Sequence, residues 1–108
     1  MSTMTRQSKD EFKARVRHFA EKFDLQIRSL TMRPMKNKWA SCSSKGTLHF
    51  NTELLDLDKE IGDYVIVHEL LHFHVPNHGK LWKSLMTAHL GNYQGVEERL
   101  NQQAKRTL

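Results

Sequence analysis

One cysteine in 108 residues, Cys42, cannot form an internal disulfide. No apolar run approaches the roughly 20 residues needed to cross a bilayer, so no membrane-spanning helix is expected. The first ten residues contain no hydrophobic segment of signal-peptide type. These absences predict a cytoplasmic protein. The length leaves no room for two substantial lobes, and the chain reads as a single domain, 1–108, with one core. Acidic residues are scarce in the first half: up to Lys45, eleven Lys and Arg face four Asp and Glu, a charge of +7, whereas the remainder carries six against eight, −2. A basic half can serve nucleic acid or an acidic partner. These cations are not interleaved with aromatic rings and match no DNA-binding motif. Solvent-facing helix and turn positions are therefore the simpler reading, and direct nucleic-acid binding the less favoured one.

What is present is concentrated in Val65-Ile-Val-His-Glu-Leu-Leu-His72. Four residues make slightly more than one helical turn, so His68 and His72 stand one above the other, about 6 Å apart along the axis. Both imidazoles can reach one metal ion. Glu69 lies roughly 100° round from His68, poorly placed to be a ligand with both histidines but close enough to act as general base on a water at the metal. Two buried histidines satisfied by hydrogen bonds would be the alternative. Burying three polar side chains beside Val65, Val67, Leu70 and Leu71 without a partner is costly, and a zinc ion removes that cost. The pattern implies metal-assisted hydrolysis.

A tetrahedral catalytic zinc needs a third protein ligand and one open position. His78 leads. Continuing the same helix would carry it about 240° round and 9 Å further, so the helix must stop, and Pro76 stops it. Glu97 or Glu98, on a later helix, are the competing third ligands. His74 reads as a surface or outer histidine, and His49 and His89 have no local recommendation as ligands. Tyr93, His89 and Arg33 are candidate donors to a developing oxyanion. Trp39, Cys42 and Trp82 read as packing residues.

Taken in order, 8–23 is an amphipathic helix with Phe12, Val16, Phe19, Ala20 and Phe23 on one stripe and a capping box from Ser8 and Glu11. A small sheet is expected over 25–51. Its first strand should run from Leu25 toward Met35 with a bulge, Pro34 should end it, and two more strands should be joined by a turn at Ser43 to Gly46. Leu48 and Phe50 should face one way and His49 the other. The metal-motif helix spans 58–74, capped by Asp56 or Asp58. Another helix follows over 78–90, burying Leu81, Trp82, Leu85, Met86 and Leu90 and ending at Gly91. The segment 92–108 is weakly amphipathic.

Two stretches together, Trp39-Ala-Ser-Cys-Ser-Ser-Lys-Gly-Thr-Leu-His-Phe-Asn51 and Val65 to His72 followed by Asn77-His78, resemble the YgjP-like metallopeptidase domain, a relative of the WLM, SprT-type and minigluzincin metallopeptidases. Ala40 stands where that family usually has Gly. The resemblance implies an α+β, zincin-like fold: a small sheet packed on an active-site helix, with a backing N-terminal helix. It also implies zinc held by His68, His72 and His78, with Glu69 as catalytic base in a peptidase acting on peptide or protein substrates. In zincins the strand nearest the metal commonly receives extended substrate at the sheet edge, and Thr47, Leu48, His49, Phe50 and Asn51 are the expected strand. Members are often encoded beside restriction-modification genes. Two other readings follow: a zinc-stabilised binding module associated with protein or DNA, and a latent protease with residues 92–108 in its cleft. The residues specify no oligomeric state.

Overall fold

The computed structural model describes residues 7–75 and 79–103. Helix α1, Lys9–Lys22, starts on the expected capping box: Ser8 Oγ accepts from the Glu11 N–H at 3.1 Å, and Glu11 Oε1 accepts from the Ser8 N–H at 2.9 Å. Phe12, Val16, Phe19 and Ala20 are its buried stripe. The helix ends where Asp24 takes φ +56°. The Asp24 N–H donates to the Glu21 carbonyl at 3.1 Å and the Leu25 N–H to the Ala20 carbonyl at 2.8 Å, the paired closing bonds of a Schellman motif with a non-glycine residue in the left-handed position.

Three strands follow: β1, Ser29–Arg33; β2, Ala40–Cys42; and β3, Thr47–Asn51. Their order is β1-β3-β2, with β1 parallel and β2 antiparallel to β3. β1 is shorter than expected, because the N–H groups of Arg28 and Ser29 both point to the Gly46 carbonyl, at 2.9 and 3.3 Å, and this shared acceptor absorbs the phase slip. Leu25 and Ile27 pack at the core margin before the strand begins. Gly46 closes the β2–β3 turn at φ +91°, and a Cβ there would sit 2.9 Å from the Gln26 carbonyl oxygen. Met32, Leu48, Phe50 and Ala40 are buried on the inner face, where Phe50 meets Phe12 edge-on at 5.3 Å. His49 pairs laterally with Thr31 and Ser41 on the opposite face, as its alternation with Leu48 and Phe50 predicts.

The chain next makes a 3₁₀ turn, Thr52–Asp56, and enters α2, Lys59–Leu71. Asp58 stands at the N-cap of α2 without capping it, because its carboxylate is taken by Arg99. Every residue from Val65 to Leu71 is buried, which makes α2 the central element. Gly62 lets α1 approach, since a Cβ there would lie 3.2 Å from the Phe12 ring. The helix closes at Leu71 rather than 74, as the N–H groups of His72, Phe73 and His74 reach back only three residues in tight turns. Pro76 and His78 lie outside the described residues. Helix α3, Lys80–Leu90, buries Trp82 and Met86 and ends at Gly91, φ +69°. Leu81, expected on the buried face, is instead 62% exposed. Helix α4, Gln94–Gln103, docks on α2 through the buried Leu100 and through Arg99, which pairs with Asp58 and Glu60. No described helix is long and apolar enough to cross a membrane. The architecture is the expected α+β arrangement, a small sheet and a backing helix around a central helix.

Candidate active site

The last turn of α2 and its C-cap residue His72 bring His68, Glu69 and His72 together. The rings of His68 and His72 are 4.8 Å apart and inclined at 77°, which leaves both able to address one point in front of the helix. Aromatic rings hold them. Tyr64, one turn earlier, packs at 5.8 Å from His68, and Trp82 of α3 lies edge-on to His68 at 5.0 Å and nearly parallel to His72 at 6.1 Å. Tyr93 completes the wall, stacked on Tyr64 at 6.1 Å and edge-on to Trp82 at 6.4 Å.

Glu69 is held from two sides. Cys42 Sγ, on the inner face of β2, lies 3.2 Å from Oε1, and His68 Nδ1 lies 3.3 Å from Oε2. Burial works to raise the Glu69 carboxyl, but the hydrogen bonds from His68 and Cys42 and the two nearby imidazoles outweigh it and hold the group below its ordinary value. Glu69 is only 6% exposed, and these partners favour its ionised form. Burial, reinforced by that neighbouring carboxylate, pushes the Cys42 thiol far up, so the sulfur stays protonated and donates. A cleft of about 250 Å³ opens over these groups, lined by Cys42, Ser43, Ser44, Glu69, His72 and Phe73.

The other expected site residues are distributed differently. β3 is the middle strand, hydrogen bonded on both sides, so Thr47 to Asn51 has no edge to offer an extended substrate. Leu48, Phe50 and Asn51 are also fully buried. The Asn51 side chain is used internally: Nδ2 donates to the Met35 and Lys38 carbonyls at 2.8 and 2.9 Å, and Oδ1 accepts from the Glu53 N–H at 3.0 Å. The strand edge beside Glu69 belongs to β2. His49 faces away from the helices, with Nδ1 buried and without a hydrogen-bond partner among the described residues. Tyr93 and His89 line a separate hollow of about 290 Å³ together with Arg15 and Tyr64, and Arg33 ends β1 at the opposite edge of the sheet. His74 Nε2 meets the Phe23 carbonyl at 2.9 Å and ties the end of α2 to the end of α1. Glu97 accepts from the Tyr64 hydroxyl at 2.8 Å, and Glu98 is exposed.

Among the described residues no group of three or more His, Cys, Asp or Glu is placed to hold a metal ion. His68 and His72 nevertheless fit one: two imidazoles one turn apart, beside an ionised carboxylate, form a nitrogen donor pair suited to zinc, and His78 lies outside the described residues. Cys42, expected to be a packing residue, instead reaches Glu69 and lines the cleft, a placement that follows from its position opposite Leu48 on the inner face. Tyr64, not expected at the site, stands four residues before His68, the same interval that separates the two histidines.

The sequence matches the family described as YgjP-like, metallopeptidase domain, over residues 2–103. No curated protein matches it. Solved structures that share the fold include two metallopeptidase zymogens. Abylysin of Pyrococcus abyssi, described as a metallopeptidase zymogen, superposes with a TM-score of 0.75 at 21% identity, over 90% of this chain and 98% of its own. Jannalysin of Methanocaldococcus jannaschii, also described as a metallopeptidase zymogen, gives a TM-score of 0.75 at 28% identity, over 85% of this chain and 95% of its own.

Proposed function

Because this chain belongs to the YgjP-like metallopeptidase domain family, we propose that it is a zinc-dependent peptidase with Glu69 as general base and His68, His72 and His78 as the residues that hold the ion. The observation that carries this reading is the buried Glu69 carboxylate, held between Cys42 and His68 with His72 beside it, at the floor of an open cleft. Zinc at these residues would lower the pKa of a water toward 7 and polarise the scissile carbonyl. Glu69 takes the proton from the attacking water and delivers it to the departing amine. Cys42 and His68 each hold one carboxylate oxygen, so the base is oriented before substrate arrives. An extended peptide or protein segment adds to the edge of β2, Ala40–Cys42, which leads directly to Glu69.

Metal analysis of wild type, His78→Ala and Glu69→Gln, alongside cleavage of a peptide library, tests the reading. One zinc per chain is expected in wild type and Glu69→Gln, with loss in His78→Ala and cleavage by wild type only. A wild-type protein that takes up no zinc overturns it. Retention of zinc in His78→Ala, with loss in Glu97→Ala, would instead move the third ligand to α4.

Latency is a second reading, favoured by the description of both structural neighbours as zymogens. No residue of 92–102 lines the Glu69 cleft, and α4 is anchored in the core by Leu100. The test is therefore removal of residues 104–108 alone. A rise in cleavage rate supports latency, and an unchanged rate counts against it.

A further inference from the structure

The carboxylates of this molecule are segregated from its cleft. Between Leu25 and Thr52, the stretch that forms the whole sheet, there is no Asp or Glu, and between Glu69 and Glu97 there is none either. The same two stretches carry seven Lys and Arg. Lys36 and Lys38 precede β2, Lys45 lies in the turn that follows it, and Lys80 and Lys83 flank Trp82, the ring packed on both histidines. All five are exposed, and none is ion-paired with a described carboxylate. The paired cations lie elsewhere: Arg15 with Asp63, and Arg99 with Asp58 and Glu60. Glu21 and Asp24 belong to the end of α1, which meets α2 through His74 and contributes nothing to the lining of the cleft. Glu69 is thus the one carboxylate lining the cleft, bordered by uncompensated positive charge at both ends of the edge strand.

We propose that this cleft selects acidic peptides, with Asp or Glu side chains flanking the bond to be cleaved drawn by Lys36 and Lys38 at one end of β2 and Lys45 at the other. The inference rests on the assignment of the β2 edge to substrate. An extended backbone on that edge has its specificity set by the side chains it projects, and here every charged neighbour it can meet on the sheet is a cation. A basic segment would be repelled by the same groups. A nucleic acid would also be attracted, but the β2 edge presents main-chain donors and acceptors to a partner strand, which a peptide backbone matches and a phosphate backbone does not.

Zinc-loaded Glu69→Gln protein, titrated by fluorescence anisotropy with labelled peptides sharing one scaffold and carrying Glu, Gln or Lys at the flanking positions, gives the test without turnover. The Glu peptide is expected to bind about tenfold tighter than the Gln peptide at about 0.05 M salt, and the advantage should shrink to about twofold at about 0.5 M. Lys38→Glu combined with Lys45→Glu, both exposed positions, should turn the preference toward the Lys peptide. Equal affinity for the Glu and Lys peptides, no binding of either, or a preference untouched by the double substitution overturns the proposal. Tighter binding of a single-stranded DNA oligonucleotide that displaces the Glu peptide also overturns it, and reassigns the surface to nucleic acid. Wild-type cleavage of the Gln peptide without a Glu preference leaves the peptidase reading standing while this one falls; a Glu preference in binding without cleavage of any peptide does the opposite.

Discussion

As the proposed base, Glu69 needs a fixed direction, and Cys42 contacts it from β2 while His68 contacts its other oxygen. The thiol is held protonated by burial, so its bond to Oε1 is a directed donor to a charged acceptor. Cys42→Ala is expected to lower kcat about tenfold, equivalent to ~1.4 kcal/mol of transition-state stabilisation, with little change in KM, and Cys42→Ser should recover most of it. A wild-type kcat in the alanine variant would remove Cys42 from any positioning role. Asn51 illustrates the opposite case, a polar residue beside the motif whose work is structural. Its three hydrogen bonds hold the loop between β1 and β2 against the start of the 3₁₀ turn. Asn51→Ala should cost about 2–4 kcal/mol in urea unfolding, since it removes three hydrogen bonds made by a fully buried side chain. Asn51→Asp should not restore it, because a carboxylate cannot donate to Met35 and Lys38.

At the scale of elements, the helices were legible because each carries a local stripe: Phe12, Val16 and Phe19 on α1, Trp82 and Met86 on α3, and the capping box at Ser8 and Glu11. The His68, Glu69 and His72 cluster was legible for the same reason, as one helix places all three. Strand order was not. Whether β3 lies in the middle or at an edge depends on β1 reaching it across the intervening hairpin, and no periodicity within Thr47–Asn51 records that pairing. The edge proposed for substrate consequently moves to β2, which carries Cys42. Tyr64 and Glu97, 33 residues apart, meet only because α4 folds back on α2. The end of α1 also leaves room for improvement: Asp24 sits at φ +56°, a conformation that glycine adopts without a Cβ penalty. Asp24→Gly should therefore raise stability by about 0.5–1 kcal/mol, read as a higher urea midpoint with unchanged slope. A lower midpoint would show that the Asp24 side chain contributes more than its backbone strain costs.

For the molecule as a whole, α2 is the element that α1, α3, α4 and the sheet all touch, and the metal-motif histidines lie on it. Zinc bound there, as proposed, would link the ligands of the native fold and not those of the unfolded chain. At about 100-fold excess over its Kd it should add roughly 2.7 kcal/mol, so chelation is expected to lower the Tm by roughly 10 °C. His72→Ala should melt at the same temperature with and without chelator; a chelator response equal to that of wild type would place the ion elsewhere. The mixed sheet has a further consequence, for the order in which the chain assembles. β2 and β3 are joined by the tight turn at Ser43 to Gly46 and can close on each other locally, whereas β1 must reach β3 across the whole hairpin and is the later partner. Native-state hydrogen exchange should then reveal an opening in which the amides of β1 lose protection while those linking β2 and β3 retain it. A segment that detaches in that manner would leave Cys42 against Glu69, so the chain can breathe at one border of its sheet without disturbing the proposed catalytic centre.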